Sequence, residues 1–89
     1  MINRIIITEP IRNKIKNKRE LPAQIQKNFH WFYWCIDMLL KNESSPLLRR
    51  RKIEGTKDCW EFTITSGYKS IYRKEGTTAI ILAIGGHDT

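Results

Sequence analysis

The sequence predicts an α+β fold: one strand, two helices and then a meander of strands, with the helices covering one face of a mainly antiparallel sheet. Three observations carry this. Ile25, Phe29, Phe32, Ile36 and Leu39 recur at alternating steps of four and three, which is one face of a helix. Beyond residue 46, Gly55, Gly67, Gly76 and Gly85 separate short runs rich in strand-forming residues. In one of these runs Trp60, Phe62 and Ile64 alternate with Glu61, Thr63 and Thr65, so one face is apolar and the other polar.

The elements follow in order. Ile5, Ile6 and Ile7 are β-branched and contiguous and read as a short buried strand. Thr8 is placed to cap a helix over 11–20, with Pro10 in its first turn. Ile11 and Ile15 share one face of that helix, and Arg12, Lys16 and Arg19 share another. Leu21-Pro22 breaks it and opens the second helix, which carries a second apolar stripe of Trp31, Trp34 and Met38. That stripe suits either more core or a partner protein. The polar break 42–46 ends this helix at a proline. Strands are expected over 47–54, 59–65, 68–74 and 77–84, with tight hairpins at Ser66-Gly67 and Glu75-Gly76. Alternation should send Trp60, Phe62 and Ile64 toward the helices, with Glu61, Thr63 and Thr65 facing away. Phe32 and Ile36 should be among the deepest residues of the core.

At 89 residues the chain is expected to form a single domain over 1–89. Its charge is the unusual quantity: sixteen Lys and Arg against nine Asp and Glu give a net +7. Such a field favours polyanions, nucleic acid first and an acidic protein second. Cys35 and Cys59 form no CxxC and, with His30 and His87, no zinc spacing. They are expected to be buried free thiols, and neither a metal nor another cofactor is expected. The apolar N-terminal run is too short for a signal peptide, and the 29–40 stretch, interrupted by His30 and Asp37, cannot span a bilayer. The expectation is a cytoplasmic protein without a membrane partner.

Lys69 and Arg73 fall on one face of their strand, with Tyr68 and Tyr72 on the other. Arg49, Arg50, Arg51 and Lys52 share one run, which alternation splits between two faces. Cations from several strands could therefore line a concave sheet face suited to a phosphodiester backbone, or serve only as solvated edge charges. No P-loop, GxGxxG or Ser-His-Asp order is present. One chemistry fits the inventory: cleavage of RNA by its own 2′-hydroxyl. It needs a base, an acid and cations for the phosphorane, and His87, Glu61, Lys52, Lys69 and Arg73 are suitable types.

Four strings together resemble the RelE/ParE toxins: Lys52-Ile53-Glu54-Gly55, Trp60-Glu61, Gly67-Tyr68-Lys69-Ser70-Ile71-Tyr72-Arg73 and Leu82-Ala83-Ile84-Gly85-Gly86-His87-Asp88. The resemblance covers nearly the whole chain and implies a β-α-α-β-β-β plan. It implies a toxin neutralised by a cognate acidic antitoxin. Within the family, RelE-like members cut messenger RNA in the ribosomal A site, whereas ParE-like members inhibit DNA gyrase. The resemblance therefore implies a metal-independent, ribosome-dependent endoribonuclease that inhibits translation. A gyrase inhibitor is the alternative, as is a degenerate toxin that only binds its antitoxin.

The implied catalytic set is Lys69, Arg73, His87 and Glu61, with Arg50, Arg51 and Lys52 as RNA-binding residues. Lys69 stands where the RNases usually carry an arginine, and it keeps the charge without the bidentate fork. His87 matches a histidine that some members are thought to use as general acid, followed there by a tyrosine and here by Asp88. Glu61 and Thr63 stand where RelE has lysines. Glu61 is either a base or an ion-pair partner of Arg51 or Lys69.

Overall fold

The structure, a computed structural model, describes residues 1–17 and 23–86, with only the helical backbone for 23–25. Strand β1 (Arg4–Ile7) leads into helix α1 (Glu9–Lys16) and helix α2 (Ala23–Lys41). A single 3-10 turn (Pro46–Leu48) then precedes β2 (Arg51–Lys52), β3 (Cys59–Thr65), β4 (Tyr68–Glu75) and β5 (Thr78–Gly86). The sheet order is β1-β5-β4-β3-β2. Of these pairs β1–β5 is parallel and the others are antiparallel. Both helices pack on one face, so the expected α+β architecture is present.

The core lies between α2 and the sheet. Phe29, Phe32, Cys35 and Leu39 form the buried face of α2, and Phe62, Ile64, Tyr72, Ala79, Ile81 and Ile84 meet it from the strands. Phe32 stacks on Phe62 at a centroid distance of 6.5 Å, and Phe62 contacts Tyr72 at 6.0 Å. Cys35 takes the deep position expected for Ile36, which is only partly buried. The side chain of Ile25 and the end of the expected first helix, residues 18–20, lie outside the described residues. Burial pushes the Cys35 thiol up to about 11, so it is a neutral core side chain. Cys59 is half-buried rather than fully enclosed. Trp31 and Trp34 are exposed at 45% and 39%, so the second stripe of α2 is surface at its tryptophans, whereas Met38 packs against the core. Among the described residues no helix is long and apolar enough to cross a membrane.

Three local departures from the sequence expectation have physical causes. Thr8 takes the expected N-cap position of α1, its carbonyl accepting from Ile11 and Arg12, but its hydroxyl makes no capping bond and instead donates to the Ile81 carbonyl at 2.7 Å, which ties the helix start to β5. The strand expected over 47–54 contracts to Arg51–Lys52, because Pro46 opens a 3-10 turn whose first amide is bonded by the Ser45 hydroxyl. Arg49 then turns the chain with φ 49°, the left-handed region. Thr65 does not face away from the helices. The β3–β4 register shifts between Thr63 and Thr65, and the Thr65 hydroxyl bonds Asn28 of α2 at 3.1 Å.

Candidate functional site

The helices leave one sheet face free, and strand register decides which side chains meet there. Arg51 stands opposite Glu61, Thr63 opposite Lys69, and Cys59 opposite Arg73. Phe62, Ser70 and Tyr72, the alternate residues, are buried beneath. The β3–β4 turn closes at Gly67, whose φ of +88° suits glycine, and it forms one wall of an open groove of about 420 Å³. Arg49, Arg51 and Lys69 bring positive charge to the groove; Glu61 and Thr63 form its floor, and Ser66 completes the wall beside Gly67.

Glu61 is the only carboxylate in this lining among the described residues. Its Oε1 lies 3.4 Å from Lys69 Nζ and 3.4 Å from Arg51 Nη2. Arg51 is largely exposed, and Lys69 is partly so. Ion pairs this long and this wet are worth at most about 1 kcal/mol each. They offset part of the groove's charge at rest without locking it, so an entering phosphate can exchange for the carboxylate on either cation. Among the described lining residues, three cations against one carboxylate leave an excess of two positive charges for that ligand.

The other expected site residues are sorted differently. Arg73 shares the face by parity but lies four residues from Lys69, about 13 Å along the strand. It pairs with Glu75 at 3.3 Å, and its Nε is buried with no hydrogen-bond partner among the described residues. It is not part of the groove lining. Arg50 leaves on the helix side, where its Nη1 donates to Glu43 Oε2 at 2.9 Å and to the Tyr72 hydroxyl at 3.1 Å. Its Cζ sits 4.0 Å from the centre of the Trp60 ring. Lys52, in register with Trp60, lies 6.0 Å from the same ring and not at the rim of the groove. Expectations about Arg50 and Lys52 as groove residues thus yield to strand parity. His87 lies outside the described residues, whereas Gly85 pairs with Lys69 and Gly86 with Tyr68.

Structures of known proteins share this architecture. The chain superimposes on a YoeB/ParE toxin from Agrobacterium tumefaciens with TM-score 0.73, at 13% identity, covering 94% of this chain and 98% of that one. It superimposes on YoeB from Staphylococcus aureus, solved as a dimer, with TM-score 0.76 at 10% identity, covering 98% and 99%. It superimposes on a chain of the Escherichia coli DinJ–YafQ toxin–antitoxin complex with TM-score 0.68 at 15% identity, covering 97% and 94%. The fold is that of the YoeB/ParE toxins. No protein-family model and no curated protein sequence matches the chain.

Within this toxin fold, reasoning from sequence misses two groove residues and one buried one. Arg49 is visible only as the parity mate of Arg51. Ser66 reads as a hairpin residue. Glu43 carries no signal, since an acidic residue in a polar break reads as solvated. It is instead buried under the sheet edge, with Lys74 Nζ at 2.8 Å and the Tyr72 hydroxyl donating at 3.0 Å. Burial alone would push its carboxyl up. Hydrogen bonds from Lys74 and Tyr72, with the charges of Lys74 and Arg50, outweigh this and hold it below the usual carboxylate range. Burial chiefly pushes the Tyr72 hydroxyl up to about 12, so it stays a donor.

Proposed function

We propose that the protein is the toxin of a bacterial toxin–antitoxin pair, acting in the cytoplasm, and that it cuts messenger RNA in the ribosomal A site without a metal. The observation that carries this reading is the groove itself: one carboxylate, Glu61, suspended between Lys69 and Arg51 at the floor of an open cationic concavity on the free sheet face. A phosphate drawn onto Lys69, Arg49 and Arg51 displaces Glu61 from its cations. The freed carboxylate then accepts the proton of the 2′-hydroxyl as that oxygen attacks phosphorus. The cations offset the additional charge of the phosphorane. His87, which follows Gly86 in the chain, donates a proton to the departing 5′ oxygen, leaving a 2′,3′-cyclic phosphate. Arg73 contributes to the field along the RNA rather than to the reacting phosphate.

The antitoxin is proposed to be acidic. Support comes from the net +7 charge and from the DinJ–YafQ neighbour, solved as a toxin–antitoxin complex. The test is expression followed by reconstitution. Expression alone should arrest growth, and a silent phenotype would point to a degenerate toxin. Purified protein added to ribosomes translating a defined message should cut it, with cyclic phosphate ends, and cutting should persist in EDTA at levels that keep ribosomes intact. Inhibition of gyrase supercoiling without mRNA cleavage would overturn the RNase reading. Full ribosome-dependent cleavage by His87→Ala would remove that residue from the mechanism.

A further inference from the structure

We propose that Glu43 is a positioning residue: acting through Arg50, it sets the register of the basic run 49–52 so that Arg49 and Arg51 face the groove. This rests on the reading of the groove as an RNA site. The run Arg49-Arg50-Arg51-Lys52 is degenerate, because every register presents a cation on each face. Hydrophobic patterning, which normally pins a strand, is absent within the run and acts only at its flanks, through the buried Leu48 before it and the half-buried Ile53 after it. Strand β2 is short: Arg51↔Glu61 and Lys52↔Trp60 pair it to β3, followed by one backbone bond from Ile53 N–H to the Cys59 carbonyl. A slip of one residue would turn Arg50 and Lys52 into the groove and carry Arg49 and Arg51 under the sheet.

What distinguishes the three arginines is the anchor below. Arg50 Nη1 reaches two acceptors, Glu43 Oε2 and the Tyr72 hydroxyl. The same hydroxyl donates to Glu43, and Lys74 holds the other carboxylate oxygen. The triangle closes with donors and acceptors matched, and the guanidinium lies over Trp60. A lysine offers neither the fork nor the flat face that this seat uses. The backbone beside it bears a cost: Arg49 is the only non-glycine residue with positive φ among those described. Such strain persists where the surrounding structure over-determines it, and here it delivers the Arg49 side chain to the groove wall.

The test uses a single-stranded RNA oligonucleotide whose binding is followed by anisotropy across a salt series. Glu43→Gln is expected to weaken binding about tenfold. It should also flatten the slope of log Kd against log salt by about 0.7 for each phosphate that the variant no longer neutralises. The effect should vanish in an Arg49→Ala/Arg51→Ala background, which a mere loss of stability would not produce. Ile11→Val, destabilising the core elsewhere, should leave the slope unchanged. A folded Glu43→Gln protein with wild-type affinity and slope, or an equal loss in the double-alanine background, overturns the proposal. If Glu43→Gln does not fold, Arg50→Lys takes its place with the same two criteria. If the wild-type protein binds no free RNA, the ribosome-dependent cleavage assay decides the functional reading. The Arg51 Nε–H resonance then decides the positioning claim: moved by Glu43→Gln it stands, and unmoved it falls.

Discussion

Glu43 and Glu61 each sit among cations on opposite sides of one sheet, and they differ in nearly everything else. Glu43 is 8% exposed, and its partners Lys74, Arg50 and Tyr72 stand at 2.8, 2.9 and 3.0 Å. Glu61 is 19% exposed, and both of its cations stand at 3.4 Å. Glu43 and Arg50 are largely withdrawn from water, although Lys74 is about as open as Lys69, so the short bonds around the Glu43 carboxylate hold each other in place. In the groove water competes for every polar group, so the pairs can open for a ligand. The same residue type with the same kind of partner therefore serves as an anchor in one place and as an exchangeable group in the other.

The largest effect that could break this contrast is on stability. Glu43→Ala should cost on the order of 3–5 kcal/mol, because it leaves Arg50 and Lys74 without their shared counter-charge. Glu61→Ala should cost less than about 1 kcal/mol. Urea unfolding of the two variants measures the difference directly, and equal losses would erase the distinction. On activity the order inverts. Lys69→Ala should lower ribosome-dependent cleavage about a hundredfold, close to 2.7 kcal/mol of transition-state stabilisation, while leaving the unfolding midpoint nearly unchanged.

Acid titration sharpens the same comparison. The folded pKa of Glu43 lies below its ordinary value of 4.5, so the folded state holds that proton less tightly than the unfolded chain does. Its contribution to stability is complete above about pH 4.5 and is lost as pH falls through the lower folded value. Stability of the wild-type protein should therefore decline below that pH, and Glu43→Gln should show a shallower decline. A parallel decline in both would assign the acid sensitivity to another carboxylate.

The smallest expected effect concerns the strained corner. Arg49→Gly should raise stability by about 1 kcal/mol, since glycine adopts the left-handed conformation without the side-chain clash. The same change should weaken RNA binding, because it removes one groove cation. A variant that gains stability and binds RNA as before would mean that Arg49 does not touch phosphate.

The helix stripe at Phe29, Phe32 and Leu39 and the alternation of Phe62 and Ile64 with Glu61 and Thr63 were legible from the sequence alone. These patterns reflect a local rule, the period of the backbone, acting on side chains that must leave water. The cationic character of the free face was legible for the same reason, since Lys69 follows from the parity of β4. Where register shifts, parity fails. Thr65 turns inward after the irregularity in β3, and Leu82 and Ala83 are both exposed where β5 shifts against β4.

Periodicity and charge by themselves determined a two-helix, sheet-backed domain with a basic outer face, because each depends only on neighbouring residues in the chain. Tertiary structure alone decided which two of three successive arginines reach the groove. That choice depends on Glu43, Trp60 and Tyr72, which belong to separate segments and meet Arg50 only when the sheet closes over α2. A run of identical charges carries no internal information about its own register, so the information resides in the buried acceptors that select one member of the run.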